Sequence, residues 1–303
     1  MPKRAFISLI LKVSGNVNAD MGVGTRIPMK KILTFNQEVK AFVSARCIRR
    51  CIRERLAEKL GPNSIDPLQL VGRGEEQLGD LGNPAKYVDD DLFGFLVPEE
   101  PPRKRAGAIK ISPLISLRHT EIKPEFAGRF PRDFLPKYKA GYPAPFEIEV
   151  AEWLGRLDVI VTDRIGRFGK EEVEGDEELT LHIDQRKERL RSFLEILLHE
   201  GWQFPRAAES PSVPEFWYGV IALTSSFVPI FGYVDIDEKN VLDNTKLDKM
   251  KAAHADLLDY VFIMDYKKDK LMTIEKIQTK EEDLSKKINE VIQSIVEYIF
   301  SGV

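Results

Sequence analysis

The first clear pattern along the chain is an apolar run, Ala5-Phe-Ile-Ser-Leu-Ile-Leu-Lys-Val13, interrupted by Ser8 and Lys12. It is too short for a membrane helix and lacks the small-residue cleavage site of a signal peptide, so it predicts a strand. A Gly- and Asn-rich loop follows, Ser14 to Thr25. From about Ser44 to Leu60 the period becomes helical, with Ala45, Ile48, Ile52 and Leu56 on one arc. Ser44 suits the N-cap, and Gly61-Pro62 stops the helix. Residues 61–85, with five glycines, and the proline-rich stretch Pro98–Tyr142 read as irregular.

Strand-like runs return at 146–153 and 158–163, and an amphipathic helix is expected over about Asp184–Leu198. A proline-broken excursion, Gly201 to Pro214, precedes the apolar run Phe216–Leu223. Helical periodicity closes the chain at Leu247–Leu258 and Glu281–Phe300, the latter with an Ile288, Val291, Ile292, Ile295, Val296, Ile299 stripe that reads as core. Strand, helix, strands, helix, strand fits an α+β fold with a ferredoxin-like (RRM-like) core, large insertions and C-terminal helices. That fold hosts many activities, so function must come from particular residues.

Charge narrows the field. Residues 1–140 hold 25 Lys+Arg against 16 Asp+Glu, whereas the whole chain of 303 residues has a net charge of −3. The basic half suits a polyanion, but also a monomer with two unlike faces, or head-to-tail association of acidic on basic surface. Residues 101–139 alone carry ten Lys+Arg against three acids. At 100° per residue, Arg46, Arg49, Arg50 and Arg53 share an arc beside the apolar face of the first helix. Glu54 and Glu58 are too few to neutralise that row, so an anion or solvent must. Guanidinium pairs with phosphate through two parallel hydrogen bonds. Taken alone, the row fits a solvated face as well as a nucleic-acid backbone site. The preceding loop brings Arg26, Lys30 and Lys31, with no acid between Asp20 and Glu38. Loop amides and a helix N-terminus favour phosphate. The Gly-Lys-Ser/Thr ending of a nucleotide-binding P-loop is absent, so a long polyanion fits better than ATP.

These residues resemble a known signature. Phe42-Val-Ser-Ala-Arg-Cys-Ile-Arg-Arg-Cys-Ile-Arg53, after a strand and a Gly/Asn loop, is similar to the first-helix signature of the DevR-type (type I-B) CRISPR-associated backbone family of the RAMP superfamily. That family shows a Val-Ser-x-Gln-x-Leu-Arg-Arg-type stretch; Ser44, Ile48, Arg49 and Arg50 match it, and Arg46 replaces the glutamine. Asn83-Pro-Ala-Lys-Tyr-Val-Asp-Asp-Asp-Leu-Phe-Gly94 resembles its DLFG stretch, and Ser112-Pro-Leu-Ile-Ser-Leu117 its SPL-x-SL stretch. Gly201-Trp-Gln-Phe-Pro-Arg-Ala-Ala and Val213–Leu223 resemble its thumb hairpin and following strand. The likeness spans roughly residues 5 to 235.

The resemblance implies a cytoplasmic, cofactor-free, non-enzymatic Cascade subunit, with a palm formed by 1–82 and 143–303, a basic insertion at 83–142 and a thumb hairpin at 201–216. Its partners would be CRISPR guide RNA, target DNA reached through that guide, further copies of itself in a head-to-tail filament, and other Cascade subunits. It places backbone contacts at Ser44, Arg49 and Arg53 and a thumb contact at Arg206. Arg26, Lys30, Lys31, Arg46 and Arg50 complete the expected RNA-binding set. Phe6 and Phe216 read as core rather than base-stacking residues.

Two other classes stay open: an endoribonuclease using Asp20, as related type III subunits use a loop aspartate, and a stand-alone RNA- or DNA-binding regulator. Asp89-Asp90-Asp91 reads as a solvated turn, since three consecutive carboxylates cannot all face one ion. His119, His182, His199 and His254 lack ligand spacing, and no Gly-x-Ser-x-Gly elbow occurs. Cys47 and Cys51, four apart on a helix, read as reduced thiols.

Overall fold

The structure, a computed structural model, describes residues 2–22, 24–71, 77–98, 102–129, 134, 144–175, 177–206, 210–275 and 278–302. In chain order the first elements are β1 (Arg4–Ser14), β2 (Arg26–Ile27), β3 (Lys31–Leu33), β4 (Val39–Val43), α1 (Ala45–Leu60), β5 (Gln69–Val71) and β6 (Gln77–Gly79). Next come α2 (Val88–Phe93), β7 (Gly94–Val97), β8 (Arg103–Ala106), β9 (Ile109–Ile111), β10 (Leu114–Ser116), β11 (Lys123–Arg129) and β12 (Ala144–Val150). β13 (Glu152–Thr162), β14 (Arg167–Phe168), β15 (Leu179–Thr180), α3 (Ile183–Glu195) and β16 (Glu215–Thr224) follow. The chain closes with α4 (Asn244–His254), β17 (Tyr260–Asp265), β18 (Lys270–Glu275), β19 (Gln278–Asp283) and α5 (Leu284–Phe300).

One antiparallel sheet organises the molecule, in the order β19-β18-β17-β16-β1-β13-β10-β4-β3, with β9 also paired to β13. At its centre β1 pairs along its whole length with β13, from Arg4 opposite Thr162 to Ser14 opposite Glu152, and with β16 on its other side. The six elements β1, α1, β10, β13, α3 and β16 run strand, helix, strand, strand, helix, strand. Both faces of the sheet are covered, which is why β1 is a nearly continuous apolar run. Ala5, Ile7, Leu9, Leu11 and Val13 point into a core shared with α1, α3 and α5. Phe6 and Ile10 point the other way, under Leu247 and Met250 of α4 and the segment from Val228 to Leu242. Ser8, the polar break in the run, is fully buried and donates a 2.6 Å hydrogen bond to Asp158, so its hydroxyl is satisfied.

Several elements differ from the sequence reading. Residues 98–142, expected to be irregular, contain β8, β9, β10 and β11 among their described residues, and 61–85 contains the antiparallel pair β5 and β6. These short strands take their conformation from the strand they pair with, such as β9 and β10 on β13, and three residues carry no period of their own. The run expected at 146–153 falls mainly in β12, and the one at 158–163 is the end of the longer, 11-residue β13. After Leu258 a three-stranded meander, β17–β18–β19, extends the sheet. It takes the first turn of the expected helix at Glu281–Phe300: Glu281, Glu282 and Asp283 sit opposite Met272, Leu271 and Lys270, and the helix begins at Leu284. The predicted stripe from Ile288 to Ile299 is buried. Among the described residues no helix is long and apolar enough to cross a membrane.

Candidate nucleic-acid interface

The helix α1 starts where the sequence places it. Ser44, in extended conformation, accepts a 3.2 Å hydrogen bond from the Cys47 amide and so caps the helix. Its hydroxyl hydrogen is left to donate elsewhere. Ile48, Cys51, Ile52 and Leu56 are buried against the sheet, Gly61 at φ 93° ends the helix, and both Cys47 and Cys51 are free. The arginines therefore line the exposed side, but they are not equivalent.

Arg50 pairs with Glu54 at 3.0 Å on the open surface, and this raises it above its ordinary value. Arg53 is held through Nε by Asp89 at 2.8 Å and lies over the Phe93 ring at 5.3 Å. Arg46 is exposed and has no acidic partner among the described residues. Arg49 is half-buried, and among the described residues its Nε reaches only the Ala45 carbonyl at 3.4 Å. Burial, then the like charges of Arg53 and Arg46, pull Arg49 below its ordinary value, as expected for a cation lacking an anion.

The preceding loop divides the same way. Arg26 and Lys31 converge on Glu149 of β12, at 2.9 and 2.7 Å. The Met29 amide donates to the same carboxylate at 3.0 Å. Burial works to raise Glu149, but the Lys31 and Met29 hydrogen bonds and the charges of Lys31 and Arg26 outweigh it, and Glu149 sits below the usual carboxylate range. Lys30 makes no ion pair among the described residues. Its charge acts on the Cys47 thiol, which places it beside the first turn of α1. Lys110 of β9, flagged by the sequence only as part of a basic region, is a further exposed cation: burial and the charges of Arg164, Arg49 and Arg105 lower it. Among the described residues, Lys30, Arg46, Arg49 and Lys110 are thus the members of the group without an acidic partner.

The aspartate triad overturns its expectation. Asp89, Asp90 and Asp91 lie in α2 and are 4%, 2% and 0% exposed, not a solvated turn. Asp91 accepts from Arg105 of β8 at 2.7 Å, from Arg189 of α3 at 2.8 Å and from the Gly166 amide at 2.9 Å. Asp89 accepts from Arg53 and from the Asp66 amide at 2.9 Å. Asp90 accepts from the Asn83 amide at 2.8 Å, and burial with the charges of Asp66 and Asp89 pushes it up to about 8. A regular helix points successive carboxylates in different directions, so each serves its own partner. Gly94, which ends α2 at φ 84°, is required by close approach: a Cβ there would stand 2.2 Å from the Arg105 carbonyl oxygen.

In the thumb-like segment, Trp202 and Phe204 are buried and pack edge-on at 6.1 Å, and the Phe204 amide donates to the Ser212 carbonyl at 2.7 Å. Arg206 is half-buried with no acidic partner among the described residues, and its carbonyl accepts from the Ser212 hydroxyl. Residues 207–209, the rest of the expected tip, lie outside the described residues, as do 99–101, 130–133 and 135–142 of the expected basic insertion. Asp20 is exposed, and its carboxylate accepts from the Met21 amide at 2.9 Å. Among the described residues no group of three His, Cys, Asp or Glu is arranged to hold a metal ion.

Two solved structures share the architecture that carries this surface. A chain of a "CRISPR RNA-guided surveillance complex, pre-nicking" superposes with a TM-score of 0.65 at 13% identity, covering 98% of this chain and 100% of that one. A chain of a "CRISPR RNA-guided surveillance complex" gives a TM-score of 0.52 at 12% identity, over 84% of this chain and 82% of that one. At such identity the likeness is one of fold. The profile of the family described as CRISPR-associated negative auto-regulator DevR/Csa2 matches residues 83–246, more than half of the chain. The chain belongs to that family. No curated protein matches it. The matched span holds the DLFG, SPL-x-SL and thumb-like segments, whereas the arginine-bearing helix α1 lies before it.

Proposed function

We propose that the chain binds CRISPR guide RNA along its sugar-phosphate backbone and polymerises head-to-tail as the backbone of a type I surveillance complex. The observation that carries this reading is the uncompensated cationic group at the start of α1. Arg46 and Arg49 have no acidic partner among the described residues, and Arg49 is held below its ordinary value by burial and its neighbours' charge. Phosphate supplies what that group lacks. Lys30 and the free hydroxyl hydrogen of Ser44 border the same turn, and Arg206 serves as the thumb contact. Arg26, Lys31, Arg50 and Arg53 join once their carboxylates share them with RNA. Sequence is then read by base pairing of the guide to target DNA, while the protein reads backbone and shape.

In this reading a ferredoxin-like palm comprises residues 1–82 and 143–303, with a basic insertion at 83–142 and a thumb at 201–216. It works in the cytoplasm beside other Cascade subunits. The acid-free stretch between Asp20 and Glu38 supports holding rather than cutting. The family's description as a negative auto-regulator favours a second reading, a regulator binding nucleic acid on its own. Purification tests both: the first predicts a high 260/280 absorbance ratio and co-purified RNA of CRISPR repeat sequence. A nucleic-acid-free monomer with no affinity for single-stranded RNA at low salt refutes it, and selective capture of duplex DNA favours the regulator.

A further inference from the structure

Arg53 is the expected phosphate contact that looks least available, because a carboxylate already holds it. The atoms involved give that pairing a different meaning. Asp89 Oδ2 accepts from Arg53 Nε at 2.8 Å, and Nη1 and Nη2 have no partner among the described residues. The guanidinium carbon stands 5.3 Å from the centre of the Phe93 ring, and the arginine side chain is 33% exposed against 5% for Asp89. The carboxylate is itself fixed: its Oδ1 accepts from the Asp66 amide at 2.9 Å, and α2 is buried along its length. Burial raises Asp89 against the pull of that amide and of Arg53, so the guanidinium helps keep the carboxylate charged.

Resting on the RNA-binding reading of α1, we propose that Asp89 and Phe93 are positioning residues that hold Arg53 by its inner nitrogen and ring face, presenting its two terminal nitrogens as a fork for one phosphate. A long arginine free on a helix surface would lose side-chain entropy on binding; one locked by a carboxylate and a ring loses less. The geometry leaves the bidentate edge open, the edge that suits phosphate. It also gives work to the first aspartate and the phenylalanine of the DLFG-like segment, while Asp91 serves the separate Arg105–Arg189 cluster.

The test is RNA binding by the full chain, stripped of bound nucleic acid, to an unstructured single-stranded RNA across a salt series. Arg53→Ala, Asp89→Asn and Phe93→Leu are compared with wild type, each first checked for a native melting transition. In Asp89→Asn the side-chain carbonyl can still accept from the Asp66 amide, and Phe93→Leu leaves every polar bond in place. Asp89→Asn is expected to weaken binding on the order of tenfold, to flatten the salt dependence by about one phosphate contact, and to add nothing further in Arg53→Ala. Phe93→Leu weakens binding in the same direction, and Asp89→Glu recovers part of the loss. Unchanged or tighter binding by Asp89→Asn, or losses that add in the double variant, overturns the inference. If Arg53→Ala and Arg49→Ala are themselves without effect, it is the RNA-binding reading of α1 that fails.

Discussion

Removing the Asp91 carboxylate tests whether α2, β8 and α3 are joined by buried charge. Asp91 is fully buried and so is the Arg105 side chain, while Arg189 is 9% exposed. In Asp91→Ala, Arg105 keeps Glu172 at 2.6 Å and the carbonyls of residue 91, Arg164 and Arg167. Arg189 keeps only the carbonyls of Pro84 and Ala85, and loses its one anion among the described residues. The Gly166 amide also loses its acceptor. An ion left buried without its partner costs roughly 3–5 kcal/mol. For a chain of this size that corresponds to a melting temperature lower by about 5–8 °C. Urea unfolding gives the free-energy difference directly. Adding Arg189→Met should recover part of the loss, because the stranded charge is then gone. A loss below about 1 kcal/mol for Asp91→Ala, with no recovery in the double variant, would refute the reasoning that this pairing is both buried and well compensated.

Two further substitutions follow from the shifted carboxylates. Asp90, pushed up to about 8, keeps a proton in the native protein that the unfolded chain releases above about pH 4. Its contribution is complete below about pH 4 and is lost as the pH climbs to about 8, by about 1.4 kcal/mol per unit. Asp90→Asn does not titrate and can still accept from the Asn83 amide, so its stability advantage should grow between about pH 5 and about pH 8 in urea titrations; equal differences at both pH values count against it. Glu149, held below the usual range, contributes stability above the ordinary carboxylate value that is lost as pH falls through its lowered one. Glu149→Gln should therefore be less stable than wild type near neutral pH with the gap closing under acid, while releasing Arg26 and Lys31 and steepening the salt dependence of RNA binding.

The pattern of the sequence carries β1, the extent of α1, its Ser44 cap and the buried stripe of α5, because each depends on residues within a few positions of one another. What it cannot reveal is which charges are already answered. The carboxylate holding Arg53 lies 36 residues away, the one holding Arg26 lies 123 away, and Asp91 and Arg189 are 98 apart. Four arginines on one arc therefore look alike on paper and separate only when the chain folds. The same long-range pairing buries Asp89–Asp91, whose composition alone says solvated turn. The strands β17 to β19 escape a reading by pattern because their charged turns conceal short runs that make sense only beside β16.

The most direct test of the central claim is the slope of RNA affinity against salt concentration for wild type and for Arg46→Ala/Arg49→Ala, measured on several unrelated single-stranded sequences. Two lost phosphate contacts should flatten the slope by roughly 1.4 on a double-logarithmic plot. They should also weaken binding equally on every sequence. An unchanged slope, or weakening confined to one sequence, would contradict the claim that the start of α1 holds the backbone of a guide RNA.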